Sequence, residues 1–236
     1  MGLQSTSVPV SETSEYEILS MLSIMQTYYL NVNPLQFRAD LKEKNRVILL
    51  SENGIIHGFS TWSLVPYELE DRHLNIIFSG DTIIEKEHWN TMALPIAWGN
   101  LMLSALAKYP GRELFWLLTS KGYKTYRFLP VFFNEFYPSF ERETPAFEKQ
   151  LIDSFAGYKF GKRYNPLTGV LKADDGAQKL VPGVADITEN RRKDPHVTFF
   201  EKMNPGHAKG EELVCLARCS QENITPFIAR HLSVES

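Results

Sequence analysis

The dipeptide Asn53-Gly54 constrains this chain more than any other pair of residues. It stands between two apolar runs, Val47-Ile48-Leu49-Leu50 before it and Ile55-Ile56-His57-Gly58-Phe59 after it. A two-residue hairpin turn needs positive φ at its centre, which Asn and Gly tolerate best, so the segment reads as a tight antiparallel hairpin. The second arm continues through Thr61, Trp62 and Leu64 to Pro66. A third strand-like run, Leu74 to Ile84, follows and is interrupted by Ser79-Gly80-Asp81. A glycine inside a strand pattern marks a bulge or a close approach of backbone.

Helical segments flank these strands. Ser14 and Glu17 form a capping-box pattern ahead of Ile18, Leu19, Leu22, Ile24, Met25, Tyr28 and Tyr29, at near-helical spacing. Pro34 starts a second helix carrying Leu35, Phe37 and Leu41. A third runs from about Leu94, with Pro95 in its first turn, to Tyr109-Pro110-Gly111. Leu114 to Leu118 is wholly apolar, as a central strand is, and Tyr123 to Phe133 reads as a helix bent at Pro130. Helix, hairpin, strand, helix, strand, helix is the order of a mixed α/β sheet flanked by helices. Past Pro138 the pattern gives a helix over Pro145 to Tyr158, a short strand at Gly169-Val170-Leu171 and a strand at Glu212 to Cys219. The expected organisation is a flexible leader over 1–13, an α/β core over 14–140, and a C-terminal extension over 141–236 packed on that core.

Composition narrows the function. A chain that is 43% hydrophobic and 22% charged is an ordinary globular one, and a net charge of −3 gives no footprint for nucleic acid. No apolar run approaches the ~18 residues of a membrane span. Met1-Gly2-Leu3-Gln4-Ser5-Thr6 formally matches a myristoylation pattern, but it reads as part of the polar leader. Two cysteines, Cys215 and Cys219, are too few for a disulfide framework, which makes the cytoplasm the default location. Their Cys-x3-Cys spacing is half a zinc site at most, and the histidines lack zinc-enzyme spacing, so no metal is expected. Gly-x-Ser-x-Gly, Gly-x-Gly-x-x-Gly and P-loop patterns are all missing.

The order of elements over roughly residues 14–137 resembles the GNAT superfamily of acyl-CoA-dependent N-acyltransferases. The hairpin Val47 to Leu64 leads to the strand Leu74 to Ile84, whose end, Thr82-Ile83-Ile84, matches the family's hydrophobic–x–hydrophobic tract. The Leu114 to Leu118 strand and the helix through Tyr126 then resemble its final strand–helix unit. The resemblance implies a GNAT-like central sheet, acyl-CoA as co-substrate, and a small-molecule or peptide amine as acceptor, with a homodimer left open. It implies Asp81, Glu85 and His88 for the amine proton and Tyr126, with Tyr123 as competitor, for the leaving thiolate. Ile83, Ile84, Asn90 and Ala93 would hold the cofactor, and Lys121 and Lys124 its phosphates. The segment Trp89 to Pro95 departs from the family's glycine-rich pyrophosphate loop. That departure keeps a second reading open, a non-catalytic binding or assembly module on the same fold.

Overall fold

The computed structural model describes residues 2–232, and the myristoylation pattern's first residue, Met1, lies outside them. The chain begins with strand β1 (Gln4–Pro9), pairs helices α1 (Glu15–Tyr28) and α2 (Pro34–Lys42) around the two-residue strand β2 (Tyr29–Leu30), and then lays down β3 (Arg46–Glu52), β4 (Ile55–Leu69) and β5 (Arg72–Ile84). Helix α3 (Ala93–Lys108), strand β6 (Glu113–Ser120), the short turns α4 (Tyr123–Tyr126) and α5 (Phe128–Phe132), and helix α6 (Ala146–Phe160) follow. The remainder supplies β7 (Tyr164–Asn165), β8 (Val170–Leu171), β9 (Lys179–Leu180), α7 (Pro195–Met203), β10 (Glu212–Cys219) and α8 (Pro226–Ala229).

The expected hairpin is present: Asn53 and Gly54 have φ of 51° and 81°, and β3 pairs antiparallel with β4. Eight strands form one mixed sheet in the order β1-β3-β4-β5-β6-β10-β8-β7, with β5 and β6 its parallel pair. This is the mixed α/β arrangement expected from the element order. Two details differ from the sequence reading. Residues 4–9, expected in a flexible leader, pair antiparallel with β3 as an edge strand. Residues 141–232 do more than pack on the core, because β10 lies against β6 from Leu213 to Cys219 and β8 and β7 continue the sheet beyond it.

Alternating side chains divide the interior between the two faces of the sheet. Ile48, Leu50, Trp62, Ile77, Trp116 and Leu118 face a cluster that also holds Trp98 of α3, Leu129 and Phe132 of α5, Phe200 of α7 and Ile228 of α8. On the other face Val47, Leu49 and Phe59 meet Met21 and Met25 of α1 and Phe37 of α2. Ile76, Phe115, Leu117 and Leu216 meet Leu151, Ile152 and Phe155 of α6 on that same side. Cys215 and Cys219 are buried in β10, and burial pushes both thiols well above the ordinary range, which suits core residues and not nucleophiles.

Candidate active site

The site begins where the sheet splits. In the β4–β5 register Ser60 faces Thr82 and Trp62 faces Ser79, so Gly80 and Asp81 together oppose Thr61 alone. This is the bulge that the interrupted strand pattern foreshadows. A bulged strand bends and twists more strongly. The parallel pairing of β5 with β6 accordingly ends at Ser79 and Leu118, and Gly80 to Ile84 diverge from β6. Glycine is required at the corner, since a Cβ on Gly80 would sit 2.5 Å from Thr61 Oγ1 and 2.7 Å from Lys44 Cε. The opening is pinned by buried hydroxyls. Trp116 Nε1 donates to Ser79 Oγ at 3.0 Å, Trp98 Nε1 donates to Ser60 Oγ at 3.1 Å, and Ser60 Oγ lies 2.7 Å from Thr82 Oγ1. The two indoles stack at 4.6 Å and hold this corner rigid.

Two cavities meet at the split. The first, about 640 Å³, is walled by α2 and α6 and carries Asp81, Lys44, Lys121, Lys159 and Glu212. The second, about 470 Å³, lies against α3, α4 and α5 and is lined by Ile83, Ile84, Trp89, Asn90, Tyr123 and Lys124, among others. Both volumes are in the range of small-molecule sites. Tyr29, Thr82 and Thr125 line both cavities and mark the junction.

Charge separates the two. Burial raises the Asp81 carboxyl above its ordinary pKa; Lys121 and Lys44 pull it back in part, while Glu212 and Asp40 push it further up. Asp81 makes no hydrogen bond among the described residues, which leaves its oxygens for a ligand. Lys121 is held by Glu212 at 2.9 Å. Burial pushes Glu212 up, but Lys121, Thr119 and Arg163 together bring it below the usual carboxylate range. Lys44 and Lys159 both lie over the Phe78 ring, at 5.8 and 4.4 Å from its centroid. Burial and Lys44 lower the Lys159 pKa. In the second cavity Lys124 sits 2.9 Å over the Trp89 ring. Burial, Arg191 and Lys86 push its pKa down to about 8. Lys86, Lys124 and Arg191 thus form a cluster of cations with no carboxylate in salt-bridge contact among the described residues.

Of the residues singled out from sequence, the structure brings Ile83, Ile84, Asn90 and Lys124 into the second cavity and Asp81 into the first. Lys121 joins Asp81 in the first, and the other four lie outside both cavities. Lys121 lines the first cavity, bound to Glu212, and not the cationic cluster. Ala93 lines neither cavity, and its N–H is taken by Thr91 Oγ1 at 3.1 Å. Tyr126 is fully buried among Phe136, Phe199 and Phe200, and its hydroxyl donates to Pro138 O at 2.8 Å. It lines neither cavity, and burial drives its pKa far up. Tyr123, its competitor, does line the second cavity. Glu85 and His88 line neither cavity and meet His57 at the surface end of β4 instead. The sequence reading missed Tyr29, Thr125 and Arg191, which reach the split from distant parts of the chain. The lone Trp89 in a polar loop and the basic run Arg191-Arg192-Lys193 were the available signals.

No protein-family model matches the chain. No curated protein matches it significantly. Solved structures that align with it include a conserved Enterococcus faecalis protein of unknown function (13% identity, 58% of this chain, TM-score 0.43). They also include a GNAT family N-acetyltransferase from Escherichia coli in complex with CoA (10% identity, 51% of this chain, TM-score 0.35). A third is an acetyltransferase from Trypanosoma brucei (13% identity, 61% of this chain and 97% of its own, TM-score 0.38). The chain spans 33% of the first structure's length and 65% of the second's. Likenesses this faint decide nothing about chemistry, and the strand order, the bulge and the paired cavities carry the reading of the site.

Proposed function

We propose that the protein is an acyltransferase that moves an acyl group from a phosphopantetheine-type thioester, acyl-CoA in the first instance, to an amine. The observation that supports this reading best is the split of β5 from β6 with its two cavities joined at Tyr29, Thr82 and Thr125. The cationic cavity suits the phosphorylated donor, because Lys124 and Arg191 line it without a salt-bridged carboxylate among the described residues. The diverging backbone of Gly80 to Ile84 suits the amides of a pantetheine arm. The other cavity suits the acceptor. Its amine loses a proton to Asp81 as nitrogen forms the C–N bond, and the C–S bond breaks to release a thiolate that must be protonated. Tyr123, which lines the donor cavity, and Tyr29, at the junction, are the candidate donors of that proton. Lys44 and Lys159 favour an acceptor that bears an anionic group besides its amine.

A specific observation favours the second reading, a binding module without transfer. Trp89 Nε1 donates to Ile84 O at 2.8 Å and so occupies a backbone acceptor at the split. The first turn of α3 is also poor in free donors, since Thr91 takes the Ala93 N–H, Pro95 has none, and Leu94 is buried. Thermal unfolding with coenzyme A, acetyl-CoA and a longer acyl-CoA separates the readings. A ligand at 100 times its Kd adds about 2.7 kcal/mol. That corresponds to roughly 5–11 °C for a chain of this size. A rise with acyl-CoA, followed by amine-dependent thiol release, fits the transferase; a rise without release fits the module; no rise with any of the three removes coenzyme A from both.

A further inference from the structure

Outside both cavities, three side chains with metal-binding atoms converge. His57 is the third residue of β4, Glu85 directly follows β5, and His88 closes the 3₁₀ turn Lys86–His88. His57 Nδ1 lies 2.8 Å from Glu85 Oε2, and the imidazole rings of His57 and His88 are 4.5 Å apart. One ligand atom from each residue can be chosen so that all three lie within 4.8 Å of one another.

We propose that His57, Glu85 and His88 form a binding site for a borderline divalent cation, zinc first among them. Two imidazoles and one carboxylate are the donors such a cation prefers, whereas magnesium and calcium prefer oxygen alone. A tetrahedral zinc with bonds of about 2.0–2.1 Å sets its ligand atoms about 3.3 Å apart, a spacing these side chains reach by small rotations. Their backbones need no rearrangement. Glu85 N–H donates to His57 O at 2.8 Å and His88 N–H donates to Glu85 O at 2.9 Å, so all three Cα positions are tied together before any ion arrives. The site is half-buried and reachable, with side-chain exposures of 21% for His57 and 35% for Glu85. Glu87, two residues after Glu85, adds negative charge to the segment, and three protein ligands leave a fourth position for water.

None of the three residues lines either of the two cavities, and the role we assign to the ion is to fasten. What it fastens is the loop that enters the donor cavity. Trp89 follows His88 directly, and Thr91 N–H donates to His88 O at 3.0 Å. The sequence spacing hid the site, because His57 and His88 stand on different elements and meet only through the β4–β5 pairing.

The test is calorimetric titration of the chelator-treated full-length protein with ZnCl₂, and with MgCl₂ for comparison. One zinc per chain is expected, with no measurable magnesium binding at the same concentrations. His88→Ala and His57→Ala should each weaken zinc by more than the roughly 10–100-fold that loss of an outer-sphere partner costs. Glu85→Gln keeps a side chain that can bond His57 and should also weaken it, while His207→Ala, far from the cluster, should not. A second readout is hydrogen exchange, in which zinc slows the amides of His88 and Thr91 in the wild type and leaves them unchanged in His88→Ala. Zinc that binds no wild-type protein, or binds all three cluster variants as tightly as wild type, overturns the proposal.

Discussion

Replacing Asp81 by Asn interrogates the acceptor cavity before any acceptor is known. In the folded protein, burial raises the Asp81 pKa above its ordinary value despite Lys121 and Lys44. The consequence for stability has a definite sign. The folded state holds this proton more tightly than the unfolded state. Stability therefore falls as pH rises from the unfolded value, about 3.9, to the folded one, and the whole cost persists above it. Every pH unit separating the two values costs about 1.4 kcal/mol. In a chain of this size that is roughly 3–5 °C of melting temperature. Asp81→Asn keeps the shape and removes the charge, so it escapes the cost. At pH 7 the variant should melt higher than wild type, and the two should converge as pH falls toward 3. Acyl transfer should meanwhile fall by about 10²–10⁴-fold, the usual share of a general base. Calorimetric melting from pH 3 to 8 measures the first effect, and thiol release measures the second. A variant that melts lower at pH 7, by an amount that does not change with pH, would refute the reasoning, because the carboxylate would then be a stabilising member of the fold.

Three further outcomes follow from named contacts. Tyr126→Phe removes the hydroxyl that donates to Pro138 O and should cost about 1–3 kcal/mol in denaturant unfolding while leaving transfer activity intact. Leu216→Ala empties a fully buried position of β10 and should destabilise the whole protein by about 2.7–5.0 kcal/mol in one cooperative transition. Two separate transitions would instead mark residues 141–232 as an independent unit. Lys124 loses its charge as pH rises through about 8, so coenzyme A binding should weaken across that range in wild type and lose this pH dependence in Lys124→Met, as read by calorimetric titration.

How much of this was legible in the sequence depends on how local the signal is. The Asn53-Gly54 hairpin, the interrupted β5, the apolar β6 and the strand ending at Cys219 all carry their period or turn within a few residues. Strand β1 does not. Its residues Gln4 to Ser7 are exposed and polar, and they form a strand only because β3 offers an unpaired edge. Strands β2, β7, β8 and β9 are two residues long, too short for any alternation to register. Helix α7 has a readable start in Asp194-Pro195, where the Asp194 carboxylate accepts from His196 N–H at 3.0 Å, yet the sequence reading assigns no element to its nine residues. The site divides in the same way. Asp81, Ile83 and Ile84 sit on the strand that splits, the strand end to which the family resemblance pointed. The choice between Tyr123 and Tyr126 turned on a single helical turn, and α4 is too short for its period to say which side faces the core. Tyr29 reaches the junction, and Arg191 the second cavity, from distant parts of the chain through pairings such as Tyr29 with Leu180, which no local pattern announces.

The gap between β5 and β6 also imposes an order on traffic. Its two cavities open beside different helices, one beside α2 and α6 and the other beside α3, α4 and α5, so neither reactant has to leave before the other comes in. The cysteine thiols offer no place to park the acyl group, since both are sealed inside β10. For the proposed transfer this geometry suits a ternary complex, in which donor and acceptor are held at once and the acyl group passes directly between them.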